Sequence, residues 1–177
     1  MADKQVGEYF QTHFVSAFQK VGTFRVDNGE KQGGNVASYF CLADGRVLHA
    51  IPGPVDAATL LREARWVVET LNMARLKRQD NNYQLGLFFC KAHRERLQSE
   101  LGMERTSQIN WYADRSAEGT ASWLREPPLT NLSQQGQVHA ILVRESLIPI
   151  ERVYRFIFEE ILGEKISTEP VVINKHR

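Results

Sequence analysis

Between Val36 and Leu71 the spacing of apolar positions changes from a period of two to a period near 3.6. Val36–Leu42 is a run of β-branched, aromatic and other apolar residues, a composition suited to a pleated, mostly buried strand. Asp44-Gly45 follows, and Asp-Gly between two apolar runs is a strong hairpin signal. Arg46–Ile51 then alternates polar and apolar positions, as a half-buried antiparallel partner would. Pro52, Gly53 and Pro54 stop it, since proline gives no N–H to a ladder. Asp56 is placed to cap a helix. Leu60, Leu61, Ala64, Trp66, Val67, Val68 and Leu71 recur at helical spacing behind it, predicting a helix over about 56–78.

Upstream, Asp3–Thr12 reads as a short helix with Val6, Tyr9 and Phe10 on one face, and His13–Val21 as a strand. Gly22–Val26 either extends that strand or forms a second one. Asp27–Asn35 is a polar, glycine-rich loop. Its Gly33-Gly34 pair lacks the following helix that a phosphate cradle requires. Downstream, Asp80-Asn81-Asn82 restarts the chain into a helix over Tyr83–Leu101, which Gly102 ends. Met103–Ser133 is weakly periodic, and Gln134–Arg144 fits helix or strand. Leu147–Leu162 is the clearest late helix, with Pro149 in its first turn and Gly163 at its end. Pro170–Ile173 reads as extended.

Composition narrows the class. The chain has 177 residues, 42% hydrophobic and 24% charged, which suits one globular domain or a small domain with an extension. A net charge of +1 gives no general attraction to nucleic acid. The basic residues of the two long helices read as solvated faces, with acids interspersed. The opening Met-Ala-Asp-Lys-Gln has no leader pattern and no apolar run approaches the ~20 residues of a membrane span, so a soluble cytoplasmic protein is expected. The only cysteines, Cys41 and Cys90, form neither a disulfide framework nor a metal-knuckle spacing.

Asp44-Gly45, Val47 and Gly53, followed by the helix from Asp56 to Leu71, resemble the ββα unit that closes a thioredoxin-like domain. VGEYFQTHFVSAFQKV resembles the helix end and strand that precede it. The resemblance covers about the first 75 residues and implies an α/β fold. The mixed sheet would carry strands near 36–42 and 46–51 and the helix 56–78, with residues 1–79 as an incomplete thioredoxin-like core and 80–177 as a mainly helical extension. Redox members of that family carry Cys-x-x-Cys at a helix start, where the thiol pKa falls, and a cis-proline facing it. This chain has no Cys-x-x-Cys, and the cis-proline position falls near Ala37. The family's central strand and active-site helix have no counterpart before Val6. An absent upstream half, a later segment such as Gln137–Val143, or a partner's edge strand would fill the gap.

These departures predict a non-catalytic thioredoxin-like module that acts by protein contact, with no cofactor, no metal and no catalytic residue. Its partner would be another protein or a second copy of the chain, met at an exposed sheet edge or at Trp111, Tyr112 and Trp123, because aromatics are enriched at hot spots. Nucleic acid and membrane are not expected as partners. The enzyme alternative is a single-thiol activity on Cys90 with His93, three positions away on one helix face, or on Cys41. A third alternative is a fragment of a larger thioredoxin-family protein. His13, His49 and His139 are candidates to meet in space as metal ligands, but their spacings match no zinc pattern and such scattered histidines read first as structural or exposed. The carboxylate pairs Glu159-Glu160 and Glu63 with Glu69 read as solvated helix faces.

Overall fold

Asp3 starts the first helix, its carboxylate accepting the backbone N–H groups of Gln5 and Val6 at 2.9 and 3.2 Å, and α1 runs Lys4–His13. The computed structural model describes residues 3–21, 25–27, 30–32, 35–77, 81–166 and 172–174. Gly33-Gly34, Asp80 and Pro170 lie outside them. The next two helices begin by the same device. Asp56 caps α2 (Ala57–Leu76) through the N–H of Thr59, and Asn81 caps α3 (Asn82–Leu101) through that of Gln84. Each side-chain cap contributes ~1 kcal/mol. Gly102, at φ 84°, ends α3, a conformation only glycine adopts cheaply. Then come α4 (Met103–Ser107), α5 (Ala117–Leu124), α6 (Gln134–Arg144) and α7 (Ile150–Phe156), the last continuing into a π-turn at Ile157–Ile161.

The strands form two small sheets. In one, β1 (Arg25–Asp27) lies between antiparallel β2 (Glu30–Gln32) and parallel β5 (Val172–Asn174). The other is the expected Asp-Gly hairpin, β3 (Ala37–Cys41) against β4 (Val47–Pro52). The chain is therefore a mixed α/β protein, rich in helix, with a two-stranded antiparallel hairpin at its centre. Among the described residues, no helix is long and apolar enough to cross a membrane.

Three expectations need correction. Residues 14–21 are irregular rather than a strand: Phe14 packs against Phe10 and Phe40, but Val15 and Phe18 are almost fully exposed. Asp27–Asn35 is not wholly loop, because β2 pairs within it. The strand β4 is buried at every position, Val47 to Pro52, rather than half-exposed. Helices pack on both faces of the hairpin, so its polar–apolar alternation does not mark a wet side.

A β-bulge sets the phase of that strand. Cys41 pairs with Val47 and Phe40 pairs with His49, so Leu48 is an extra residue with no partner in the register. A bulge of this kind re-aims the side chains after it. Val47 and Ala50, three positions apart, both join the core formed with α3, α5, α6 and α7. Phe40, Leu48 and Ile51 join the core formed with α2 and the start of α3. His49 follows Phe40 onto the latter face, and their rings stack at 5.9 Å. The two cores cross residue 79, so the front and rear halves of the chain share them.

Beyond β4 no further strand fills a central position among the described residues. Gln137–Val143, one sequence candidate for it, is part of helix α6. The edge of β4 is satisfied piecemeal. Val47 donates to the Ile148 carbonyl at 2.9 Å, and the Gln135 side chain donates to the Ala50 carbonyl at 3.0 Å. Buried backbone groups must find such partners.

Candidate metal centre

Three of the chain's five histidines meet where β4, α3 and α6 cross. His49 arrives from β4 through the bulge. His93 lies on the buried stripe of α3, four positions after Phe89 and four before Leu97, the spacing that lines one helix face. His139 sits between Val138 and Ala140 on α6, where the core side and its flanks are all buried. The three residues are at most 5% exposed, and each offers a ring nitrogen within 4.8 Å of those of the other two. Ring centroids lie 5.1–5.5 Å apart, with Trp66 edge-on to His49 and His93 at 5.0 and 5.1 Å.

Hydrogen-bond partners set the proton positions. Nε2 of His93 lies 2.8 Å from the carbonyl of Leu48, so it carries the proton and donates. That carbonyl belongs to the bulged residue, which the ladder leaves unpaired. Nδ1 of His93 is then a lone pair, and at 2.9 Å it faces Nδ1 of His139. Burial, then the neighbouring His49, holds His93 down to about 3. Burial, then His93, holds His139 at about 2. His49 is lowered as well, with burial outweighing Glu63. All three imidazoles are neutral near pH 7, the state in which histidine ligates metals.

A carboxylate and a guanidinium stand behind His49. Glu63 of α2 places Oε2 at 3.2 Å from His49 Nε2 and accepts a hydrogen bond from Arg96 Nη1 of α3. Burial alone would raise the Glu63 carboxyl, but His49 and Arg96 bring it to about 2. A proton on Nε2 facing this carboxylate leaves Nδ1 of His49 as a lone pair. The 3.2 Å approach lies outside hydrogen-bond angles, and neither ring nitrogen of His49 has a hydrogen-bond partner. A buried polar atom left in that condition costs ~1–3 kcal/mol, and native structures tolerate few of them.

The other sequence candidates fall elsewhere. His13 stays on α1, its ring 4.4 Å from that of Tyr9. Cys90 and His93 have separate partners: the thiol donates to the Val143 carbonyl at 3.1 Å, and burial pushes it up. Burial raises the Cys41 thiol to about 11. Trp123 is not a contact aromatic. It is 4% exposed, its Nε1 donates to the Asn110 carbonyl at 3.1 Å, and Arg144 covers its ring. Trp111 is half-buried against it, and Tyr112 alone of the three is exposed. Glu63 is not a solvated acid but one of the buried charges. His93 was legible only as a neighbour of Cys90; the missed signal is a histidine on the core stripe of each of three elements.

Compared with protein-family models, with curated proteins and with solved structures, the chain matches none.

Proposed function

We propose that this protein is a metal-binding domain that holds one zinc-class divalent ion on His49, His93 and His139 and works without thiol chemistry. The observation that carries the reading is His49: fully buried, neutral, with two ring nitrogens that lack a hydrogen-bond partner and two more imidazoles offering nitrogens within 4.8 Å. Metal-binding histidines commonly give their second N–H to a carbonyl or carboxylate. Leu48 does this for His93, and Glu63 stands in that place for His49. Imidazole donors suit zinc, copper, iron or nickel, whereas hard ions such as calcium and magnesium prefer oxygen. A tetrahedral ion with Zn–N of ~2.0–2.1 Å sets its donors ~3.4 Å apart. The three donors lie within 4.8 Å of one another and Nδ1 of His93 is 2.9 Å from Nδ1 of His139, so an ion would draw the wider spacings in and part the closest pair slightly. The metal reading does not depend on the resemblance to thioredoxin-like domains.

Zinc added to chelator-stripped protein should bind at one equivalent and raise the unfolding midpoint, because a ligand at 100 times its Kd stabilises by ~2.7 kcal/mol. His139→Ala should abolish the stoichiometric binding, while His13→Ala leaves it intact. Cobalt(II) should give the intense visible bands of a tetrahedral site. Failure of the wild-type protein to retain zinc through dialysis would end this reading, as would full retention by a folded His139→Ala variant.

Both thiols should be sluggish. At pH 7 the Cys41 thiol, raised to about 11, is ionised to about one part in ten thousand, burial raises Cys90 as well, and the thiolate is the nucleophile. Iodoacetamide should therefore modify Cys41 and Cys90 far more slowly than free cysteine in the same buffer. Labelling of either residue at the rate of free cysteine would return the single-thiol enzyme to consideration.

A further inference from the structure

A cavity of about 530 Å³ opens between α1 and α2, beside the histidine centre. Leu61 and Trp66 are part of its lining, α1 from Asp3 to Val6 borders it, and Arg62, Arg65 and Arg96 bring three positive charges to it. Two acids also line it, Asp3 and Glu69. Asp3 is committed to capping α1, where it accepts two backbone N–H groups. A guanidinium carries five N–H donors in a planar fork suited to carboxylate and phosphate. Arg96 gives one of its terminal nitrogens to Glu63 and sits over Trp66, its Cζ 3.9 Å from the ring centroid. Arg65 lies over the Tyr9 ring at 5.6 Å. Such stacking covers the faces of a guanidinium and leaves its edge donors in the plane of the group.

We infer that this cavity takes a small oxyanion, a carboxylate or phosphate, on Arg65 and Arg96. We infer also that its binding is coupled to metal at the histidine centre through the chain Arg96–Glu63–His49. The coupling rests on the metal reading; the oxyanion site does not. Its sign follows from charge. An anion on Arg96 offsets the guanidinium's repulsion of a cation, and it competes for the N–H that Glu63 now accepts. Both changes leave Glu63 more negative toward His49 and favour a divalent ion. By linkage, metal tightens the anion by the same factor.

The test uses the full chain in two experiments. In chelator and at low salt, NMR titrations with inorganic phosphate and separately with succinate should move the Trp66 indole and arginine side-chain resonances saturably. Response to phosphate alone or to succinate alone assigns the source, and either supports the site. Arg65→Ala, an exposed position, should weaken the response roughly tenfold, a loss of ~1.4 kcal/mol in binding. No saturable shift, or an unaltered affinity in Arg65→Ala, overturns the oxyanion site. In the second experiment, zinc affinity is measured against a chromophoric chelator with and without saturating sulfate, which does not precipitate zinc. A gain of at least fivefold is expected, the lower end of ordinary coupling, and an unchanged affinity overturns the linkage. Absence of any zinc binding would instead remove the metal reading and leave the phosphate result standing.

Discussion

Lowering the pH from 7 to 5 should cost the metal-free protein roughly 3–4 kcal/mol of stability, well before ordinary carboxylates titrate. The source is the buried imidazoles. His93 and His139 are held at about 3 and about 2 in the folded protein, against ~6.5 in an unfolded chain. A depressed histidine binds fewer protons folded than unfolded, so acid favours the unfolded state. Stability is full above pH ~6.5 and falls as pH drops through that value, by ~1.4 kcal/mol per unit for each group. His49 is lowered too and adds in the same direction. Glu63 works with the same sign at lower pH: its contribution is present above its unfolded value of ~4.3 and is lost toward about 2. Arg96 also faces the cluster, and its charge adds to the lowering of all three histidines.

Against a typical total of ~5–15 kcal/mol, this loss is large enough to read in urea midpoints between pH 7.5 and 5 in the presence of chelator. His139→Leu should flatten the dependence by about one proton, although it removes a hydrogen bond as well. A stability profile that stays level down to pH 5 would mean that the imidazoles open to water or lie in another arrangement.

Arg96→Ala should destabilise the fold by about 2–4 kcal/mol, and Glu63→Gln by clearly less. Breaking a buried ion pair is costly when the group left behind cannot reach water. The Glu63 side chain is only 9% exposed, and without Arg96 its charge would depend on neutral His49 and on Arg62, which approaches at 3.3 Å. The Arg96 side chain is 25% exposed and borders the cavity, so without Glu63 it has a route to solvent. Its stacking on Trp66, worth ~0.5–1 kcal/mol, survives Glu63→Gln and is lost in Arg96→Ala. Replacing both residues, Glu63→Leu with Arg96→Met, should recover part of the loss, since a well-packed apolar pair of similar volume often matches a buried ion pair. Chemical denaturation of the four proteins compares these costs directly. Equal costs for the two single changes would argue that Glu63 is not the trapped partner.

Much of the backbone was readable from the chain because it depends on residues a few positions apart. Asp3, Asp56 and Asn81 cap helices within three residues of themselves. Asp44-Gly45 turns the hairpin, with Gly45 at φ 81°, and Gly102 stops α3 for the same steric reason. The late helix, expected over Leu147–Leu162, starts at Ile150 with Pro149 as its N-cap, runs into the π-turn and ends before Gly163. The irregular 14–21 segment was misread because its apolar residues imitate a strand, while the fold covers Phe14 and leaves Val15 and Phe18 exposed. Gln134–Arg144 was ambiguous for a related reason: an element buried on nearly all sides shows no period that separates helix from strand.

The candidate site belongs to the other category. His93 meets His139 across 46 positions and the Leu48 carbonyl across 45. No local rule specifies such pairings, because only packing in three dimensions decides which core stripes face one another. The bulge at Leu48 is the decisive case. One unpaired residue turns His49 toward α2 and α3 and frees the carbonyl that orients His93, yet nothing in VLHAIP marks it. The amino-acid sequence by itself determined where helices and turns begin and end, through sterics and hydrogen bonds within a few residues. Only the tertiary structure decided that three scattered histidines share one dry pocket with a carboxylate, since burial and long-range contact, not spacing, create that chemistry.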